Sequence, residues 1–237
     1  MALKAVLFDF DGTLVDSEPI HLRIWNEVLR PYGLSVSVDD FKQRYLGAPA
    51  PEMARELVER NHLDVDAGEL AGEKDRRYAI WVQENPLPLM GYAFESVRTF
   101  SRCGVKLACV TGSPRQAVTL GLKRSGLLEM FDAIVSRDDV NRNKPDPECY
   151  RQALRRLDEP ADRGIVFEDS EAGVASATGA GLVCYGIFNG ASKSHDLSLA
   201  AKTFSGLYEA TQWVVRGYSL CGVQGAEPEA TLISDHH

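Results

Sequence analysis

Apolar residues in this chain gather into five short, unbroken runs: "AVLFDF" (5–10), "VKLACVTG" (105–112), "FDAIVS" (131–136), "GIVFEDS" (164–170) and "LVCYGIF" (182–188). Each is rich in Val, Ile, Phe or Tyr and does not alternate with polar residues. That is the pattern of a strand covered on both faces. The segments between the later runs have helical period instead. In "DPECYRQALRRL", Tyr150, Ala153, Leu154 and Leu157 fall on one face, with Asp146 expected as N-cap and Pro147 in the first turn. Strands alternating with helices predict βαβ units and hence an α/β fold, a doubly wound parallel sheet.

The first two runs break this rhythm, because the stretch 16–86 between them is itself helical in pattern. Ile20, Ile24, Trp25, Val28 and Leu29 line one helix that starts near Ser17-Glu18-Pro19. Further helical segments are expected around 38–46, 51–61 and 68–83, and "NPLPLMG" (85–91) then punctuates the chain. The expected organisation is an α/β core from 1–15 and 87–216 with a helical domain, 16–86, inserted after the first strand. Residues 217–237 lose all periodicity and read as a loose tail.

With 237 residues and 44% hydrophobic content, the chain has enough apolar surface for a full core. Its net charge of −8 and the absence of any basic run argue against nucleic acid, whose backbone needs clustered Lys and Arg. Small anionic substrates, held by one or two local cations, stay open. The five cysteines, at 103, 109, 149, 184 and 221, form no CxxC pair and sit among apolar or helical neighbours. They read as reduced and buried, which favours a cytoplasmic location. Asp9 and Asp11 interrupt the first apolar stretch too early for a signal peptide, and no segment has the ~18 apolar residues of a membrane span.

Open parallel sheets bind ligands at the carboxyl ends of their strands. There the chain offers Asp9 and Asp11, then Thr111-Gly112-Ser113, then Lys144 in "NKPDP", then Glu168 and Asp169 in "EDS". Carboxylates with no His or Cys beside them suit a hard, oxygen-liganded cation, most plausibly Mg²⁺. Lys144 and the donors at 111–113 would face an anion that also meets the metal, and phosphate fits best. Asp9 could attack phosphorus to give an aspartyl-phosphate. Asp11 could protonate the leaving alkoxide and later take a proton from water. Taken singly, each motif is also an ordinary turn or helix start; their joint placement at successive strand ends carries the reading.

"DFDGT" (9–13), Thr111, Lys144 in "KPDP" and "EDS" (168–170), in this order, resemble the four motifs of the haloacid dehalogenase superfamily. The match extends to about residue 215. The insertion after the first motif resembles the helical cap of the branch containing phosphoglycolate phosphatase and β-phosphoglucomutase. The resemblance implies Asp9 as nucleophile, Asp11 as general acid/base, and Thr111 and Lys144 as phosphoryl ligands. It also implies Mg²⁺ held by Asp9, the backbone carbonyl of Asp11 and Asp169, with Glu168 assisting. An acid at Asp11 favours phosphate esters over C–halogen or C–P bonds.

The expected activity is therefore Mg²⁺-dependent hydrolysis of a small phosphorylated metabolite. A phosphosugar mutase is the alternative. Ala50 stands near the position where that group would carry a phosphate-gripping arginine, whereas His21 and Lys74 lie where its cap residues resemble them. His21 also reads as an exposed helix residue, and Lys74 with Arg76 and Arg77 as a solvated helix face. A receiver-like signalling module would share Asp, Mg²⁺, Thr/Ser and Lys, but Asp11 and the insertion count against it.

Overall fold

The computed structural model describes residues 2–45, 47–189 and 196–220. Six strands form one parallel sheet: β1 (Ala5–Phe8), β2 (Lys106–Val110), β3 (Ala133–Val135), β4 (Gly164–Glu168), β5 (Val183–Ile187) and β6 (Lys202–Phe204), in the order β3-β2-β1-β4-β5-β6. The chain runs outward from β1 to β3, then returns to the other side of β1. This reversal puts the end of β1 at the topological switch point, where such sheets open a crevice. The α/β doubly wound reading therefore holds. The sixth strand, "KTF", is too short to register as an apolar run.

Both faces of the sheet are buried, which is why its strands read as continuous apolar runs. Val6 and Phe8 of β1 pack with Leu107, Cys109, Ile165 and Phe167 on one face. Ala5 and Leu7 pack with Ala108, Val110, Val166 and Cys184 on the other. Crossover helices cover these faces: α5 (Ala93–Arg102), α6 (Arg115–Arg124), α7 (Glu148–Leu157), α8 (Glu171–Gly179) and α9 (Leu207–Gly217). On α7 the expected face is buried as read, but the helix begins at Glu148 with Pro147 as N-cap. Asp146 lies one residue further out, where its carboxylate still accepts from the Glu148 amide at 3.0 Å.

Between β1 and α5 come the helices α1 (Glu18–Leu29), α2 (Val38–Asp40), α3 (Ala50–Asn61) and α4 (Ala67–Glu84), with a π-helical turn over Phe41–Tyr45. Ile24, Trp25, Met53, Leu57, Leu70 and Tyr78 form their shared interior. The two crossings into this helical unit run side by side. Asp16 donates its amide to Pro88 at 2.8 Å, Met90 donates to Leu14 at 2.9 Å, and Val15 bridges Leu89 in antiparallel fashion.

Cys109, Cys149 and Cys184 are free and buried, as expected. Cys103 is not: it is partly exposed and disulfide-bonded, where the sequence suggests a reduced, buried thiol. Cys221 and nearly all of the expected tail lie outside the described residues. Among the described residues, no helix is long and apolar enough to cross a membrane.

Candidate active site

The parallel register brings the strand ends to one level. Phe8 pairs with Cys109 on one side and Phe167 on the other, so Asp9, Thr111 and Glu168 emerge together. The ladder continues past the named strands: the Asp9 amide donates to Phe167 at 3.0 Å, and the Thr111 amide donates to Val135 at 2.9 Å. Asp9 is thus fixed at the centre of the sheet with its side chain buried.

Lys144, on the loop after β3, reaches into this centre. Its ammonium donates to Asp9 Oδ1 at 2.6 Å, Glu168 Oε1 at 2.5 Å and the Val110 carbonyl at 3.1 Å. Glu168 is fully buried and fully committed. Tyr150 also donates to Oε1 at 2.9 Å, while Oε2 accepts from the amides of Asp169 and Ser170 and from the Ser170 hydroxyl. Gly173 makes room for this arrangement, since a Cβ there would stand 1.8 Å from Glu168 Oε1. Asp169 accepts from Thr13 at 3.3 Å and from Asn189 at 2.9 Å. Gly12, at φ +84°, turns the chain past it; a Cβ on Gly12 would meet Asp169 Oδ2 at 2.2 Å.

Asp11 faces a different set of partners. Its Oδ1 accepts from Ser17 at 2.6 Å; its Oδ2 accepts from Ser113 at 2.6 Å and Thr111 at 3.2 Å. His21 Nε2 lies 3.5 Å from Oδ1. Burial works to raise the Asp11 carboxyl, but His21, Ser113 and Ser17 outweigh it and hold the group well below the usual carboxylate range. The opposite holds for Asp9 and Asp169. Burial pushes both well above that range, and repulsion from Glu168 adds to it. At Lys144, burial opposes the charge, yet Asp9 and Glu168 prevail and hold the amine well above its ordinary value.

Ligand oxygens of Asp9, Glu168 and Asp169 lie within 4.8 Å of one another. Three buried carboxylates around one ammonium leave excess negative charge, so an oxygen-liganded cation fits this donor set. The Asp11 carboxylate is turned away from it, toward Ser17, Thr111 and Ser113. Gly112, Ser113 and Lys144 line a cavity together with Asp9, Asp11 and Asp169.

The helical unit closes the other side of this cavity with Glu18, His21, Phe41, Tyr45 and Lys74. His21 and Lys74 are buried, not solvent-facing, whereas Arg76 and Arg77 pair with Glu73 on the outside of α4. Glu18 is partly exposed as a residue, yet burial beside Asp11 and Asp9 pushes its carboxyl up to about 8. Sequence reasoning passed over Ser17, Glu18, Tyr150 and Asn189. Asn189 was within reach of the strand-end logic, being the first strongly polar residue after β5.

The chain resembles known proteins over most of its length. The haloacid dehalogenase-like hydrolase family matches residues 3–181. A phosphorylated carbohydrates phosphatase of Thermotoga maritima is 34% identical over 184 residues, covering 76% of this chain and 82% of its own. The fructose-1-phosphate phosphatase YqaB of Escherichia coli is 33% identical over 180 residues, 75% of this chain and 92% of its own. The crystal structure of CbbY from Rhodobacter sphaeroides with phosphate superposes with a TM-score of 0.78 at 28% identity, covering 87% of this chain and 96% of that one. The chain belongs to the haloacid dehalogenase-like hydrolase family.

Proposed function

We propose that this protein hydrolyses the monophosphate ester of a small polyhydroxylated metabolite through an aspartyl-phosphate on Asp9, with Mg²⁺ held by Asp9 and Asp169. In this reading residues 16–86 are a cap over a core of 1–15 and 87–216. The observation that carries it is Asp9 at the switch point, bound by Lys144 at 2.6 Å and flanked by a separately held Asp11. Glu168 serves chiefly to fix Lys144, since both of its oxygens are already engaged. When bound, Mg²⁺ neutralises the clustered carboxylates and the phosphoryl oxygens, so that the two anions can approach.

The first step joins an Asp9 oxygen to phosphorus and breaks the bond from phosphorus to the leaving oxygen. Asp11 delivers the proton that this alkoxide needs. Lys144, Thr111 and Ser113 neutralise and orient the transferring group. In the second step Asp11 takes a proton from water, which attacks phosphorus and frees Asp9 and inorganic phosphate. The hydrogen bonds that hold Asp11 ionised suit this second step. A phosphoryl group that takes the hydroxyls of Thr111 and Ser113 removes two of them and suits the first.

The relatives named for phosphorylated carbohydrates and fructose 1-phosphate support a sugar-like leaving group. The mutase alternative draws on Lys74, buried at the cap side of the cavity. Against it, a buried alanine, Ala50, lines the cavity near the expected arginine position. A panel of sugar monophosphates, assayed for phosphate release in Mg²⁺ with wild type and Asp9→Asn, tests the proposal. Release by the wild type and none by the variant is expected. Release by a folded Asp9→Asn protein would refute the nucleophile, and isomerised product that depends on a bisphosphate primer would select the mutase.

A further inference from the structure

We propose that Arg137 and Asp75 form a clasp that fastens the helical unit onto the core and positions Lys74 at the leaving-group end of the cavity; this deepens the phosphatase reading and rests on it. Arg137 opens a single turn after β3, on the core, while Asp75 lies on α4. The Arg137 guanidinium donates from Nη2 to Asp75 Oδ2 at 2.6 Å, and both side chains are about four-fifths covered. Both residues line the same cavity as Asp9 and Asp11.

Each end of the clasp is tied to a functional side chain. On the core, the Arg137 amide donates to the Ser113 carbonyl at 3.2 Å, and the Ser113 hydroxyl binds Asp11. The turn itself is rigid: Ser136 and Asp139 cap it reciprocally, and Arg115 and Arg156 both pair with Asp139. On α4, the second Asp75 oxygen is buried, forms no hydrogen bond among the described residues, and lies 3.6 Å from the Lys74 ammonium. Lys74 is itself 6% exposed and has the Tyr78 ring 5.1 Å away.

Asp75 is thus shared between a core cation and a cap cation. Its bond to Arg137 can form only when the helical unit sits over the core, and the same carboxylate steers the Lys74 ammonium. Closure and the presentation of Lys74 become one event. Arg137 is a positioning residue in this scheme, acting through Asp75 and not on phosphorus.

The test uses wild type, Arg137→Ala, Asp75→Asn, Arg137→Asp, Asp75→Arg and the double charge swap, all with Mg²⁺ and the best-cleaved sugar monophosphate. Each single variant is expected to lose roughly tenfold or more in kcat/KM, mainly through KM, as for a partly buried ion pair. Inhibition by inorganic phosphate, which reports the core site, stays within about twofold of wild type for Arg137→Ala. The swap recovers most of what Arg137→Asp loses. Wild-type kcat/KM in Arg137→Ala, additive losses in the swap, or a parallel loss of phosphate inhibition would each overturn the clasp. A wild-type protein that releases no phosphate from any ester would instead overturn the underlying phosphatase reading.

Discussion

Gly173→Ala is the sharpest probe of how the site is held. Gly173 sits in the first turn of α8 with its amide on the Ser170 hydroxyl at 3.1 Å. An added methyl would stand 1.8 Å from Glu168 Oε1 and 2.2 Å from Oε2, so one side must retreat by about 1.5 Å to reach ordinary contact. A free glutamate would swing aside at little cost. Glu168 cannot, because Lys144 at 2.5 Å, Tyr150 at 2.9 Å and three donors on Oε2 fix both oxygens. A hydrogen bond stretched that far is lost.

Breaking a buried ion pair costs roughly 3–5 kcal/mol, and alanine returns about 1 kcal/mol of helix propensity. The net loss is about 2–4 kcal/mol, or about 10 °C in Tm for a chain of this size. Phosphate release should fall with it, since Lys144 loses its anchor. Gly179→Ala in the same helix is the control. Its Cβ would meet Pro147 at an ordinary 3.5 Å, so Tm should hold or rise. Thermal melts and steady-state assays of both variants decide the matter. A Gly173→Ala protein with wild-type Tm and activity, or equal losses in both variants, would refute the reasoning.

Asp11→Asn, which keeps the shape but cannot trade protons, should slow turnover by 10²–10⁴-fold, on the order expected for general acid–base catalysis, with phosphate affinity retained; near-normal turnover would move the acid/base elsewhere. EDTA should abolish activity, and Mg²⁺ should raise the Tm of wild type but not of Asp169→Asn, as expected for a ligand that binds only the folded state. Glu18 carries a carboxyl raised to about 8, so the folded protein holds a proton that the unfolded chain releases near its ordinary value of 4.5. Its stabilising contribution is complete below about pH 4.5 and is lost as pH rises through about 8. Metal-free wild type should therefore lose Tm relative to Glu18→Gln between pH 5 and 9, and parallel curves would rule this out.

The core was legible because its strands are buried on both faces and therefore spell out unbroken runs. Their ends can be read in turn, which points to Asp9, Asp11, Thr111, Lys144, Glu168 and Asp169. Partnerships were harder to see. No spacing in the sequence tells that Tyr150, read as a helix-core residue, turns its hydroxyl to Glu168. Lys74 read both as a candidate cap contact and, with Arg76 and Arg77, as part of a solvated face; α4 turns those two outward and Lys74 in. Cys103 looked like its buried neighbours because a lone cysteine carries no local signature of its pairing. β6 escaped because three residues with two exposed make no pattern.

The paired backbone bonds at 16–88 and 14–90 make a single narrow neck of what could have been two independent tethers. Inserting one residue in either crossing would break both bonds and misplace every helix beyond it at once. Exchanging side chains on the inner wall of those helices leaves the pivot untouched. New guests are therefore easier to accommodate by repainting that wall than by lengthening the hinge.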